Sequence, residues 1–177
     1  SPDGRQVYYK HLKDEQTPER IVARDLVSGQ ERVISRAPDD SEFVELAMSP
    51  DGKLLASKLN WRDKAPFELV VAPSAGGELK RVTSIAPPHW FQNVAWTPDS
   101  RQLLFTKHYW RDKRLDRVEL WRVAVESGKE EPVGLAAEGI RDLCIHPAGH
   151  RIAYTFFKDS TEIWAMEKYL PVSGAAK

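Results

Sequence analysis

Cysteine is almost missing from this 177-residue chain. The single thiol, Cys144, has no intrachain partner for a disulfide and no second thiolate for a metal cage, so it fits a reducing or an oxidising compartment equally. Net charge is missing too. Its 26 basic residues balance 26 acidic ones, which leaves no field to draw in nucleic acid, an anionic membrane or a polyanionic substrate. No apolar run approaches the roughly 20 residues that cross a bilayer, and no basic-then-apolar leader opens the chain. The expectation is a soluble segment with no nucleic-acid partner and no direct membrane insertion. Ser1 already belongs to a turn motif, so a segment of a longer protein is expected.

What the chain does have is a repeat. Ser1-Pro2-Asp3-Gly4, Ser49-Pro50-Asp51-Gly52, Thr97-Pro98-Asp99-Ser100 and His146-Pro147-Ala148-Gly149 begin 48 (49 − 1), 48 (97 − 49) and 49 (146 − 97) residues apart. Proline presets φ, aspartate bonds its own backbone and glycine takes the left-handed conformation, so each anchor reads as a tight hairpin. A short apolar strand precedes each of the last three anchors: Val44 to Met48, Asn93 to Trp96 and Asp142 to Ile145. These strands carry the small residues Ala47, Ala95 and Cys144 three positions ahead of the proline, which suits a crowded innermost strand.

A second strand follows each anchor, and a third recurs at Arg20 to Ala23, Glu68 to Val71, Glu119 to Arg122 and Glu162 to Ala165. In the first three repeats a glycine turn then leads to a polar fourth strand. Four antiparallel strands per repeat of 40 to 50 residues is the make-up of a propeller blade. The predicted fold is all-β, a β-propeller of four-stranded blades. It spans residues 1–171, with blades at about 1–40, 41–88, 89–137 and 138–171 and a tail at 172–177. Three, four, four and three strands, 14 in all, give about three and a half blades. The missing strands are expected on the N-terminal side.

The pattern resembles the WD40-like PD40 repeats of TolB-type β-propellers, through Ser-Pro-Asp-Gly-x-x-(Leu/Val/Ile), the third strand and the glycine turn before Leu79-Lys80-Arg81-Val82-Thr83. The ending from Glu162 to Pro171 also resembles the close of propellers that follow a kinase or winged-helix regulator domain in bacteria. The resemblance implies a bacterial, periplasmic or otherwise extracytoplasmic protein, monomeric as a propeller.

Two sets of side chains stand out as candidate sites. Trp-Arg-Asp-Lys occurs twice, at 61–64 and 110–113, a spacing of 49 (110 − 61), in the loop expected between second and third strands. The linker between blades adds His89 and Trp90 on the same rim. Tryptophan and arginine anchor interfaces, so Trp61, Arg62, Asp63, His89, Trp90, Trp110, Arg111 and Asp112 form the expected partner surface. The alternative is structural: tryptophans packing on neighbouring blades and Arg–Asp pairs closing locally.

The second set, Glu45, Asn93 and Asp142, lies five residues before each anchor proline and is expected to ring the channel mouth. Oxygen ligands there suit a hard cation or a polar ligand, or else solvate the rim and cap strand ends.

No Gly-x-Ser-x-Gly elbow occurs, and the one His-x-x-x-His pair, His146 and His150, spans a Pro-Ala-Gly turn with no glutamate beside either, unlike the helical metal-binding pattern. No catalytic residue, metal site or cofactor is assigned. The reading is a non-catalytic interaction or sensing module that binds a protein or an attached domain. The alternatives are the gating propeller of a serine peptidase and a small-ligand or cation site at the channel mouth.

Overall fold

A computed structural model describes residues 1–14, 17–61, 66–112, 114–137 and 140–156. The described residues form 13 strands and no helix that is long and apolar enough to cross a membrane. Strands β1 (Gln6–His11), β2 (Arg20–Asp25) and β3 (Glu31–Arg36) make the first sheet. The second contains β4 (Ser41–Met48), β5 (Leu54–Trp61), β6 (Phe67–Pro73) and β7 (Lys80–Ile85). The third contains β8 (Trp90–Trp96), β9 (Gln102–Arg111), β10 (Arg114–Ala124) and β11 (Glu130–Ala137). A two-stranded sheet of β12 (Ile140–Ile145) and β13 (Ile152–Phe156) follows. The strand expected from Glu162 to Ala165 lies outside the described residues.

All pairings are antiparallel and sequential, as short turns demand, and β8 touches both β4 and β12, so the first strands of these blades lie side by side. The Ser/Thr-Pro-Asp turns close the β4–β5 and β8–β9 hairpins through one repeated set of bonds. Ser49 Oγ donates to Asp51 Oδ1 at 2.7 Å and accepts from Leu54 N at 2.9 Å, while Asp51 Oδ1 accepts from Lys53 N at 3.1 Å. Thr97 and Asp99 repeat this, with Arg101 N on Asp99 Oδ1 at 3.0 Å. Ser100 takes the left-handed φ of 59° that Gly52 provides in the preceding turn.

A sheet this small buries neither face alone, and two clusters fill the seams. Ile21, Ala23, Ile34, Phe43, Leu55, Leu59 and Val70 pack between the first and second sheets. Ala56, Leu69, Val71, Phe91, Leu103, Phe105 and Val123 pack between the second and third. Phe43 and Phe105 are fully buried, each stabilising by about 1.5–3 kcal/mol. Polar clasps repeat across the seams. Arg32 donates to the carbonyls of Ser74 (3.1 Å) and Ala75 (2.6 Å), and Lys80, 48 residues on (80 − 32), donates to those of Val125 (3.0 Å) and Glu126 (2.9 Å). Lys10 bonds the Phe43 carbonyl, and Lys58, again 48 on (58 − 10), reaches the Phe91 carbonyl at 3.4 Å.

Lys58 is 5% exposed, and burial holds its ammonium below the ordinary lysine value against the support of Glu45, whose Oε1 lies 3.3 Å away. The cation is thus a desolvation burden that Glu45 relieves. Lys58→Met is expected to be as stable as the parent or more so. Glu45→Gln, which leaves the ammonium without a counter-charge, is expected to lose about 1–3 kcal/mol in urea unfolding.

In Asp3, Asp51 and Asp99 the hydroxyl bond from Ser1, Ser49 or Thr97 is the largest influence holding the carboxyl below the usual aspartate range. A carboxyl depressed on folding contributes stability that is complete above the unfolded pKa and lost as pH falls through the folded one. The urea midpoint is therefore expected to drop from about pH 4 downward. In the triple variant Asp3→Asn/Asp51→Asn/Asp99→Asn that drop should be shallower.

Candidate functional site

Registers Ser41↔Trp61 and Phe67↔Ile85 place the far ends of these strands on the rim opposite the proline turns. At that rim of the third sheet the linker after β7 delivers His89 and Trp90 against the end of β9. The Trp90 ring contacts Trp110 with centroids 4.8 Å apart and 35° between planes, and stacks on His108 at 5.7 Å. His89 meets Tyr109 at 5.3 Å, and its Nδ1 accepts the Trp110 backbone N–H at 3.1 Å, which fixes that nitrogen as the unprotonated one. Pro88, Trp90, Trp110 and Asp112 line a groove of about 450 Å³.

Two neighbouring cations in the same blade are already held between a ring and a carboxylate. The Arg117 guanidinium lies 4.4 Å from the Tyr109 centroid, and its Nε donates to Glu119 Oε1 at 2.6 Å. Burial, followed by the nearby Glu119 charge, pushes the Tyr109 phenol up to about 12. Lys107 Nζ lies 3.8 Å from the Trp121 centroid and pairs with Glu130.

The predicted partner surface is only partly a loop. Trp61 closes β5, Trp110 and Arg111 belong to β9, and the β9–β10 hairpin turns at Asp112, which has a φ of 48°. Strand pairing persists further than expected because Arg111 and Leu115 still find partners across the hairpin. Arg62 and Asp63 lie outside the described residues.

The two tryptophans are not equivalent. Val44 pairs with Lys58, and Gln92 pairs with Thr106, so the second strands correspond at a spacing of 48 (106 − 58). Trp61 therefore matches Tyr109 (61 + 48), and the Trp-Arg-Asp-Lys recurrence at 49 is one residue out of register. A one-residue slip reverses the face of a strand residue. Trp61 shares its face with Leu55 and Leu59, towards the first sheet, whereas Trp110 shares its face with Thr106 and His108, on the other side. Both indole N–H groups are buried with no hydrogen-bond acceptor. Trp96 Nε1, by contrast, donates to the Ala47 carbonyl at 3.0 Å across a seam. Tyr109 falls in the expected rim loop beside Trp110, whereas His108 joins the rim without any motif of its own; its adjacency to that loop is the available signal.

Glu45, Asn93 and Asp142 share a backbone feature that the sequence did not reveal. All three have positive φ (60°, 57° and 51°) at the register shift of their inner strands. Each is a bulge residue that bends the strand. Their oxygens are engaged within the protein. Glu45 Oε2 accepts from Val94 N at 3.2 Å, Asn93 Oδ1 from Asp142 N at 3.1 Å and Asp142 Oδ2 from Thr155 Oγ1 at 2.7 Å. Among the described residues no three metal-ligating side chains cluster.

Cys144, expected as a packed inner-strand residue, is exposed: its strand pairs with β13 and touches β8, leaving the thiol uncovered by described residues. The hydroxyl–imidazole pair Thr106–His108, at 3.1 Å, is unsuited to nucleophilic attack. Thr106 is fully buried and gives its proton to the Gln92 carbonyl at 2.8 Å.

No family model matches the chain, and no curated protein matches it in sequence. Among solved structures it is similar to TolB from Acinetobacter baumannii, with a TM-score of 0.67 and 18% identity over 90% of this chain and 37% of that one. It is also similar to a TolB described as putative from Agrobacterium tumefaciens, with a TM-score of 0.55 and 17% identity over 75% of this chain and 46% of that one. A prolyl endopeptidase structure gives a TM-score of 0.61 and 17% identity over 84% of this chain and 24% of that one. The chain thus spans less than half the length of each. At such identities the likeness shows the fold alone, a β-propeller with blades arranged as in the TolB structures.

Proposed function

We propose that this propeller segment is a non-catalytic interaction module whose Trp90–Trp110 rim binds another protein or domain. The observation that carries this reading is the apolar groove between those rings, open at the surface and edged by the exposed Asp112 carboxylate, which has no partner among the described residues. Half-buried tryptophans in a shaped groove supply large contact area at small conformational cost, the usual make-up of an interface anchor. The opposite rim holds a larger groove of about 800 Å³ beside Leu54, Pro73, Lys80 and Val125, but no aromatic side chain among the described residues lines it and its Lys80 is already bound to the Val125 and Glu126 carbonyls.

The second reading keeps the segment as a gate for a peptidase. Its support is the likeness to the prolyl endopeptidase structure, which extends to the fold alone.

A photo-crosslinking amino acid placed at Asp112 is expected to give a discrete protein adduct in the source cells. The same probe at Asp99, on the turn rim, should give none. Adducts from Asp99 alone, or from neither position, would remove the rim reading.

A further inference from the structure

We infer that the rim groove recognises a cationic side chain, arginine foremost, on an extended segment of the partner; this rests on the rim-binding reading above. The third blade holds three aromatic–carboxylate pairs. Tyr109 with Glu119 grips Arg117, and Trp121 with Glu130 grips Lys107. The third pair, Trp90–Trp110 with Asp112, has the same chemistry and no cation from the described residues.

Ring faces attract cations through their quadrupole, and a neighbouring carboxylate adds a counter-charge. The two indoles lie 4.8 Å apart, too close to admit a group between them, so they form a platform and not a cage. A planar guanidinium stacks on such a platform and still donates to a carboxylate at its edge. Alternation along β9 sends the exposed Arg111 to the face opposite Trp110, so that guanidinium does not cover the platform. Pro88 forms the apolar wall against which the aliphatic stem of an arginine lies.

The probe is the peptide acetyl-Gly-Arg-Gly-Arg-Gly-amide, titrated into protein labelled with nitrogen-15 in its indoles. The control is the same peptide with citrulline, which keeps the shape and lacks the charge. The Trp90 and Trp110 resonances are assigned from Trp90→Phe and Trp110→Phe. The arginine peptide should shift both, the citrulline peptide should not, and Asp112→Asn should weaken binding about threefold. Asparagine tolerates the left-handed turn conformation of Asp112, so this variant keeps the hairpin. Equal shifts from both peptides would overturn the cation preference while leaving a rim that binds polypeptide. No shift from either would overturn the inference, and the crosslinking at Asp112 would then decide the rim reading separately.

Discussion

Every blade depends on its neighbour, because a twisted sheet of two to four strands has two apolar faces and, among the described residues, no helix covers either. The seam is therefore the controlling contact. Its apolar part is the pair of clusters around Phe43 and Phe105. Its polar part is the set of long side chains that reach backbone groups of the next sheet: Arg32 and Lys80 near the turn rim, Lys10 and Lys58 deeper in. These side chains give donors to backbone carbonyls across each seam, exposed ones near the turn rim and buried ones deeper in, where Lys58 carries a desolvation burden in doing so. The bulges matter there too. By bending the inner strands at Glu45 and Asn93, they aim a side-chain oxygen at an N–H group of the following blade, while Asp142 takes the Thr155 hydroxyl within its own sheet.

The parts of the fold that were legible in the sequence are those written in local chemistry. Ser49-Pro50-Asp51-Gly52 is a turn because proline, aspartate and glycine each fix one torsion or one bond within four residues, and the repeated spacing then implies blades. Glu45 at φ 60° shows the limit. Glycine would have advertised the left-handed bend, but tertiary bonds hold a glutamate there, and nothing within the strand signals it.

The rim was legible in composition and not in orientation. The tetrapeptide at 61–64 and 110–113 looks like a repeated surface, yet strand register is set by pairing across the whole sheet, from Gln92↔Thr106 to the β9–β10 hairpin. Tyr109 and His108, whose roles come from contacts with His89 and Trp90, carried no motif of their own. Cys144 shows the opposite case: a small residue in an inner strand is expected to be covered, yet its thiol is exposed, because coverage depends on what stands beyond β12.

The one-residue offset between Trp61 and Trp110 has a consequence for valency. Repeat scaffolds commonly present the same feature once per unit, and a ligand with several matching groups then gains avidity from their array. Here the first copy of the tetrapeptide turns its tryptophan inward to the preceding blade, and the second turns its own to the other side. On the proposed rim reading, the repetition in sequence gives one asymmetric docking point among the described residues, and recognition would rest on the quality of one contact instead of the number of them.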